Sequence, residues 1–380
     1  MRRLNLLLLL LACGVANPAS MAPIVSPSSA NPASFAPAGG AFQTGGAPTF
    51  RYTIVQTGAT ILPGGTFTMP ATKVGSSSAI QFQAQNTGSA PATVNRIAFS
   101  AMVFELIDVP ELPVSLDPGS SLTFTIQFMP DTPGFAKGAL DIDGSDFTVQ
   151  AFGMVGGVTI SGPGATVPPA QQPMVGVTLD AAYKILISGK LILSFSSVLG
   201  DDPAVQFAGG RAVDFTVPIN SKQAMFGTAN QIAFQSGTVA GTISFTVTLQ
   251  ASGTDMTPLP APSFSTQVSP AAPVINSIAI KRTGTGFELS LVAFATSKAI
   301  NKADFQLTPS GTGNLQTSSI SLDVGTLFAD WYKGASSTPF GSLFALTVPF
   351  TVNGNISAIR SVSATLTNAQ GTSNSMSALP

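Results

Sequence analysis

Apolar and polar residues alternate strictly along short stretches of this chain. In "SAIQFQAQNTG", Ile80, Phe82 and Ala84 fall on one side while Gln81, Gln83 and Gln85 fall on the other. "SLTFTIQF" repeats the rule, setting Leu122, Phe124, Ile126 and Phe128 against Thr123, Thr125 and Gln127. A period of two places successive side chains on opposite faces, as in a half-buried strand. "GALDIDG" and "DFTVQAFG" continue the pattern. Between strands, "NTGSAPATV" predicts a turn in which Asn86 and Gly88 take left-handed backbone. Pro118-Gly119 supplies a fixed φ and then a positive one. Pro130 and Pro133 are expected to end a strand, because proline cannot donate to the ladder.

Strands this short, separated by turn clusters about every ten residues, predict an antiparallel sandwich with one wet face per sheet. Residues 49–155 form the clearest unit. A Gly/Pro-rich stretch at 156–173 reads as a linker. Residues 174–268 make a second unit, with hairpins expected at Gly209-Gly210 and Gly237. After a short break at 269–273, residues 274–380 make a third. Its one helical piece lies within "LDVGTLFADWYKGAS", where Leu327, Phe328 and Trp331 are expected to pin it to the sandwich.

Composition narrows the chemistry. The chain has 380 residues, 26 of them Phe, with 37 Gly and 29 Pro. This suits several small β-domains and is too rich in core-forming residues for a disordered chain. Charged residues make up only 9%, and the net charge is -1, so nothing here attracts nucleic acid. No histidine is present, which removes the commonest general base and metal ligand and excludes a Ser-His-Asp or Cys-His system. No "SxxK" pattern occurs either. The single cysteine, Cys13, leaves every domain to be held by packing and sheet hydrogen bonds.

Three clusters invite a functional reading. Asp141, Asp143 and Asp146 in "DIDGSD" have oxygen ligands spaced for calcium, but a complete loop of that kind needs further ligands and a bidentate Glu. The competing reading is a hairpin turning at Gly144. Asp201 and Asp202 in "GDDPAV" are adjacent carboxylates, and their place before a proline reads better as a turn than as a glycosidase pair. Trp331 and Tyr332 could stack on a sugar ring, the alternative being a buried tryptophan clipping the helix to its sheet. No cofactor and no catalytic residue are expected.

The pieces "NTGS", "LDPGSSLTFTIQFMP" and the following "GALDI" carry a more specific likeness. Over roughly 49–155 the chain resembles the ASH-like immunoglobulin sandwich that recurs in bacterial envelope proteins of the choice-of-anchor D type. That resemblance implies non-catalytic repeats or adaptors. The expected fold is therefore all-β: tandem immunoglobulin-like antiparallel β-sandwiches behind a disordered N-terminal stalk.

"MRRLNLLLLLLACGVANPAS" (1–20) has the layout of a signal peptide, with two arginines, an apolar run and small residues. "LLAC" resembles a lipobox that would make Cys13 a lipidated N-terminus, whereas "GVA" before Asn17 would release a soluble protein. The Pro/Ala/Ser-rich stretch at 21–48 suits a tether. The expected role is a structural, adhesive or protein-docking scaffold, lipid-anchored at the cell envelope or secreted. Its expected partner is an envelope or extracellular protein, or alternatively a glycan. Cells fed a labelled fatty acid are expected to yield labelled protein, with the label lost in Cys13→Ala; an unlabelled wild type assigns the released form.

Overall fold

The computed structural model describes residues 50–311 and 315–380; the signal-like segment, Cys13 and the stretch at 21–48 lie outside the described residues. The chain is all-β, built as three tandem antiparallel sandwiches of immunoglobulin-like architecture, with the helix Gly325–Lys333 in the third.

In the first sandwich one sheet runs in the order Ala59–Ile61, Phe50–Ile54, Ser78–Asn86, Ser121–Phe128, Phe104–Ile107. The facing sheet contains Gly134–Ile142 and Ser145–Met154, and the short edge strand Thr66–Thr68 runs parallel to the latter. Register follows the apolar pattern. Ile80, Phe82 and Ala84 stand opposite Ile126, Phe124 and Leu122, all of them buried. A slip of one residue would turn the slipped strand's apolar row to water, so core burial specifies the pairing. Phe82 is enclosed by Phe67, Phe124 and Phe147, with ring centroids 5.4, 5.6 and 5.4 Å away. Burying a ring of this kind contributes about 1.5–3 kcal/mol.

Two turn motifs far apart in sequence meet at the end of this sheet. Pro118-Gly119 forms the expected turn: Gly119 has φ 82, and Ser120 N–H donates to Asp117 O at 2.9 Å. Asn86, expected to bend by left-handed backbone, instead ends its strand in ordinary conformation and acts through its amide. Its Nδ2 donates to Ala90 O and Leu116 O at 2.9 and 2.8 Å, and its Oδ1 accepts Gly88 N–H at 2.9 Å. Gly119 N–H donates to Asn86 O. The "NTG" and "LDPG" pieces are thus two halves of one buried joint. Thr125 also departs from expectation. It is 7% exposed, because the chain folds over it and Asp108 Oδ2 accepts its hydroxyl at 3.2 Å.

The second and third sandwiches share a plan. Ile187–Ser196 pairs with Ala212–Val217 and Gly241–Ala251 in one, and Lys302–Pro309 pairs with Ser319–Asp323 and Ile359–Asn368 in the other. Each packs against a three-stranded sheet. Ser263–Val268 pairs with Gly241–Ala251 and ends the second sandwich. The stretch at 156–173, expected to be a linker, belongs instead to the second sandwich. Val158–Ser161 pairs with Met174–Leu179, and Ile160 and Val167 join the buried core. Its glycines and prolines masked a four-residue strand too short to show a period. Gly209-Gly210 lies at a tight turn closed by Phe207 and Gly210. Gly237 makes no hairpin; its place is described below.

The chain's three tyrosines fall one to a sandwich. Burial is the main cause that raises the pKa of Tyr52, Tyr183 and Tyr332 above the usual 10.0. For Tyr52 and Tyr183 the charges of Asp143 and Asp180 push the same way, against the hydrogen bonds these tyrosines share with Ser145 and Gly156. The folded state therefore holds these protons more tightly than the unfolded chain. Their contribution is complete below pH 10 and is lost as pH rises from there toward the folded values. Tyrosinate absorbance is expected to develop only well above pH 10, together with unfolding. A titration of all three at 10.0 in folded protein would contradict the buried hydroxyls.

Candidate functional site

The "DIDGSD" cluster is a two-residue hairpin turn. Asp143 and Gly144 have φ values of 46 and 82, the paired positive angles that match the twist of flanking strands. Asp141 Oδ2 accepts Gly144 N–H at 3.0 Å, and Arg96 lies 3.7 Å from its other oxygen. Asp143 Oδ2 accepts Asn95 N–H at 2.7 Å. Asp146 stands opposite Asp141 across the ladder. The carboxylates spread over turn, strand and neighbouring loop, so the hairpin reading fits them and convergence on a cation does not. Among the described residues no group of three or more carboxylates gathers to hold a metal. The turn borders a polar hollow of 540 Å³ that also takes in Tyr52, Thr93, Asn95 and Ser145.

Asp201 and Asp202 part company. Asp201 stays exposed and pairs with Arg211, whose Nη2 lies 2.7 Å away. Arg211 also donates to the carbonyls of Asp202 and Val205. Asp202 is fully buried. Its carboxylate accepts the N–H groups of Ala204, Thr238 and Val239 at 3.0, 2.6 and 2.9 Å, and the Thr238 hydroxyl at 3.2 Å. The expected turn is present, since Val205 N–H donates to Asp202 O, but its first carboxylate-bearing neighbour points outward and its second inward. Gly237 and Gly341 lie against the buried carboxylate. A Cβ at either would come within 2.6 and 2.5 Å of an Asp202 oxygen. Gly341 belongs to the third sandwich, so this carboxylate sits at the boundary between two domains.

Around it the boundary is polar and closed. Ser342, fully buried, donates its N–H to Thr238 Oγ1 at 3.0 Å and its hydroxyl to Thr238 O at 2.6 Å. Ala240 N–H donates to Thr296 O at 2.8 Å. Lys298 Nζ donates to Leu199 O at 2.9 Å. Burial is the main cause lowering the Lys298 pKa, and the charges of Asp202 and Asp201 act in the other direction. Nothing in "GDDPAV" hinted at this role. The signal in the sequence, two glycines distant from the aspartates, becomes legible only when Gly237 and Gly341 are known to be neighbours.

Trp331 and Tyr332 do not form an open platform. Tyr332 donates its hydroxyl to Ser342 O at 2.7 Å, and its ring stands edge-on to Phe344 at 6.5 Å. Trp331 packs on the third core with its indole N–H buried and without a partner. Phe328, buried, meets Phe344 at 4.6 Å. Leu327, expected to help pin the helix, is 40% exposed and lines an apolar groove of 410 Å³. That groove is bounded by the edge strands Ser319–Asp323 and Leu343–Thr351 and holds one ionisable group, Asp323. The helix is clipped by Phe328, Trp331 and Tyr332, one position round from the expected face.

No protein-family model matches the chain, and a search of curated proteins returns no match. Among solved structures it is similar to the alpha-2-macroglobulin of Escherichia coli activated by porcine elastase, at 12% identity and a TM-score of 0.24. That match covers 82% of this chain but only 31% of the other. It is also similar to the FN1-FN3 domains of chicken CNTN1, at 10% identity and a TM-score of 0.20, over 83% and 98% of the two chains. At such scores neither likeness bears on function.

Trp331→Ala is expected to destabilise the third sandwich by about 3 kcal/mol, through lost packing. Trp331→Phe is expected to retain most of that stability, since it also removes the unpartnered N–H. Chemical denaturation followed by far-ultraviolet circular dichroism checks both; unchanged stability in Trp331→Ala would contradict the clip.

Proposed function

We propose that the chain is a non-catalytic structural and docking scaffold working outside the cytoplasm of a bacterial cell, with an envelope or extracellular protein as its partner. The observation that carries this reading is the use the chain makes of its carboxylates. Asp141, Asp143 and Asp202 each accept backbone N–H groups of their own turns and joints. A carboxylate serving as general base or nucleophile has to face a reacting group instead. The absence of histidine from the whole sequence supports the same conclusion. So does the resemblance of the first sandwich to ASH-like envelope modules, and the lipobox-like Cys13 suits anchorage.

Recognition by such a protein rests on surface complementarity or on strand addition to an open sheet edge. Among the described residues Leu343–Thr351 pairs on one side only, with Gly286–Phe294. Pro349, lacking an N–H, limits how much of that edge could accept a further strand. The alternative of carbohydrate binding through Trp331 and Tyr332 draws no support from rings packed on the third core.

Tagged full-length protein mixed with envelope extract is expected to retain one defined protein, saturably and in competition with untagged chain. A glycan array and a panel of hydrolase substrates are expected to stay silent. Specific sugar binding that Trp331→Ala abolishes, or turnover by the purified protein, would overturn the scaffold reading.

A further inference from the structure

We propose that the three sandwiches form a single stiff rod, with its two angles set by joints at opposite ends of the middle sandwich. At the far joint the second and third domains are bonded directly, through Ser342 to Thr238, Lys298 to Leu199 and Ala240 to Thr296. These bonds surround the Asp202 carboxylate, whose own acceptors are filled by Ala204, Thr238 and Val239. The boundary resists rotation, because swinging the third domain away would break the bonds of Ser342, Lys298 and Thr296 to the second domain and leave buried polar groups unpaired. Gly341 is held at φ 61 with no room for a side chain, so the approach is close and specific.

The near joint uses apolar continuity. Val155 at the chain crossing is part of the second core, and Val74 and Phe152 of the first sandwich pack on that core. The buried Tyr183 hydroxyl accepts Gly156 N–H at 2.8 Å, and Asp180 accepts Gly157 N–H at 2.5 Å. A side chain at Gly156 would run into the Asp180 carboxylate. Lys184 and Asp131 add an exposed ion pair across the boundary. At both joints an aspartate of the middle domain closes on a glycine: Asp180 on Gly156 where the chain enters that domain, and Asp202 on Gly341 of the third sandwich. Domains joined by short linkers with small polar contacts normally move relative to one another. These do not.

Spin labels test this in the full chain carrying Cys13→Ala. Exposed positions Thr123, Thr248 and Ala279 are replaced by cysteine in pairs, one pair spanning each joint. Wild-type joints are expected to give narrow distance distributions for both pairs. Gly341→Ala is expected to broaden the 248–279 distribution at least twofold and leave 123–248 unchanged, and Gly156→Ala to do the reverse. Native Trp331 fluorescence in Gly341→Ala shows that the third sandwich is still folded. If that spectrum shifts to the unfolded one, Ser342→Ala, which removes only the hydroxyl bond to Thr238, takes its place with the same expectation. Broad distributions in the wild type would overturn the rod. Narrow ones that survive both glycine substitutions would overturn the aspartate–glycine lock. Neither result touches the docking reading, whose failure is read on extract and array.

Discussion

Every buried backbone N–H needs an acceptor, and in an all-β chain the ladder supplies it only along the strands. Where ladders stop, this protein assigns a short polar side chain to the vacant donors. Asn86 does so where the first sandwich turns, Asp141 and Asp143 at the tight hairpin, Asp180 at one domain boundary and Asp202 at the other. With no disulfide among its domains, the fold rests on phenylalanine-rich cores closed at their ends by these acceptors. Replacing the buried Asp202 by an apolar residue would strand N–H groups away from water, at about 1–3 kcal/mol each.

This constraint also bears on function. Asparagine and aspartate are chemically versatile side chains, and here Asn86, Asp141, Asp143, Asp180 and Asp202 are already engaged by backbone. Asp202 is the clearest case, buried completely and saturated by donors from its own domain while a glycine of the next domain presses against it. A carboxylate so placed is an architectural part. The apolar groove beside Leu327 holds one ionisable group, Asp323, and the carboxylates of the polar hollow, Asp141 and Asp143, are engaged by Gly144, Arg96 and Asn95.

The same accounting connects the three sandwiches. The boundary between the second and third is closed to water, since Ser342, Thr296 and Asp202 are all fully buried. The helix Gly325–Lys333 contributes indirectly, because Tyr332 holds the carbonyl of Ser342, the residue that reaches across to Thr238. Packing inside the third domain thereby positions the contact between domains.

Strand positions, inward faces and the turn at Pro118-Gly119 were legible in the sequence, because alternation and φ preference are local properties that need no knowledge of neighbours. The helix was legible too, though its pinning face was misjudged by one position, since the choice between Leu327 and Tyr332 depends on where Phe344 stands. Val158–Ser161 escaped notice because four residues between glycines and prolines carry too little period. The joint between the "NTG" and "LDPG" pieces, the burial of Thr125 and above all the fate of Asp202 were decided only by tertiary structure. A side chain's exposure depends on what lies across from it, and residues 202, 238 and 341 become neighbours only once two domains have closed on each other.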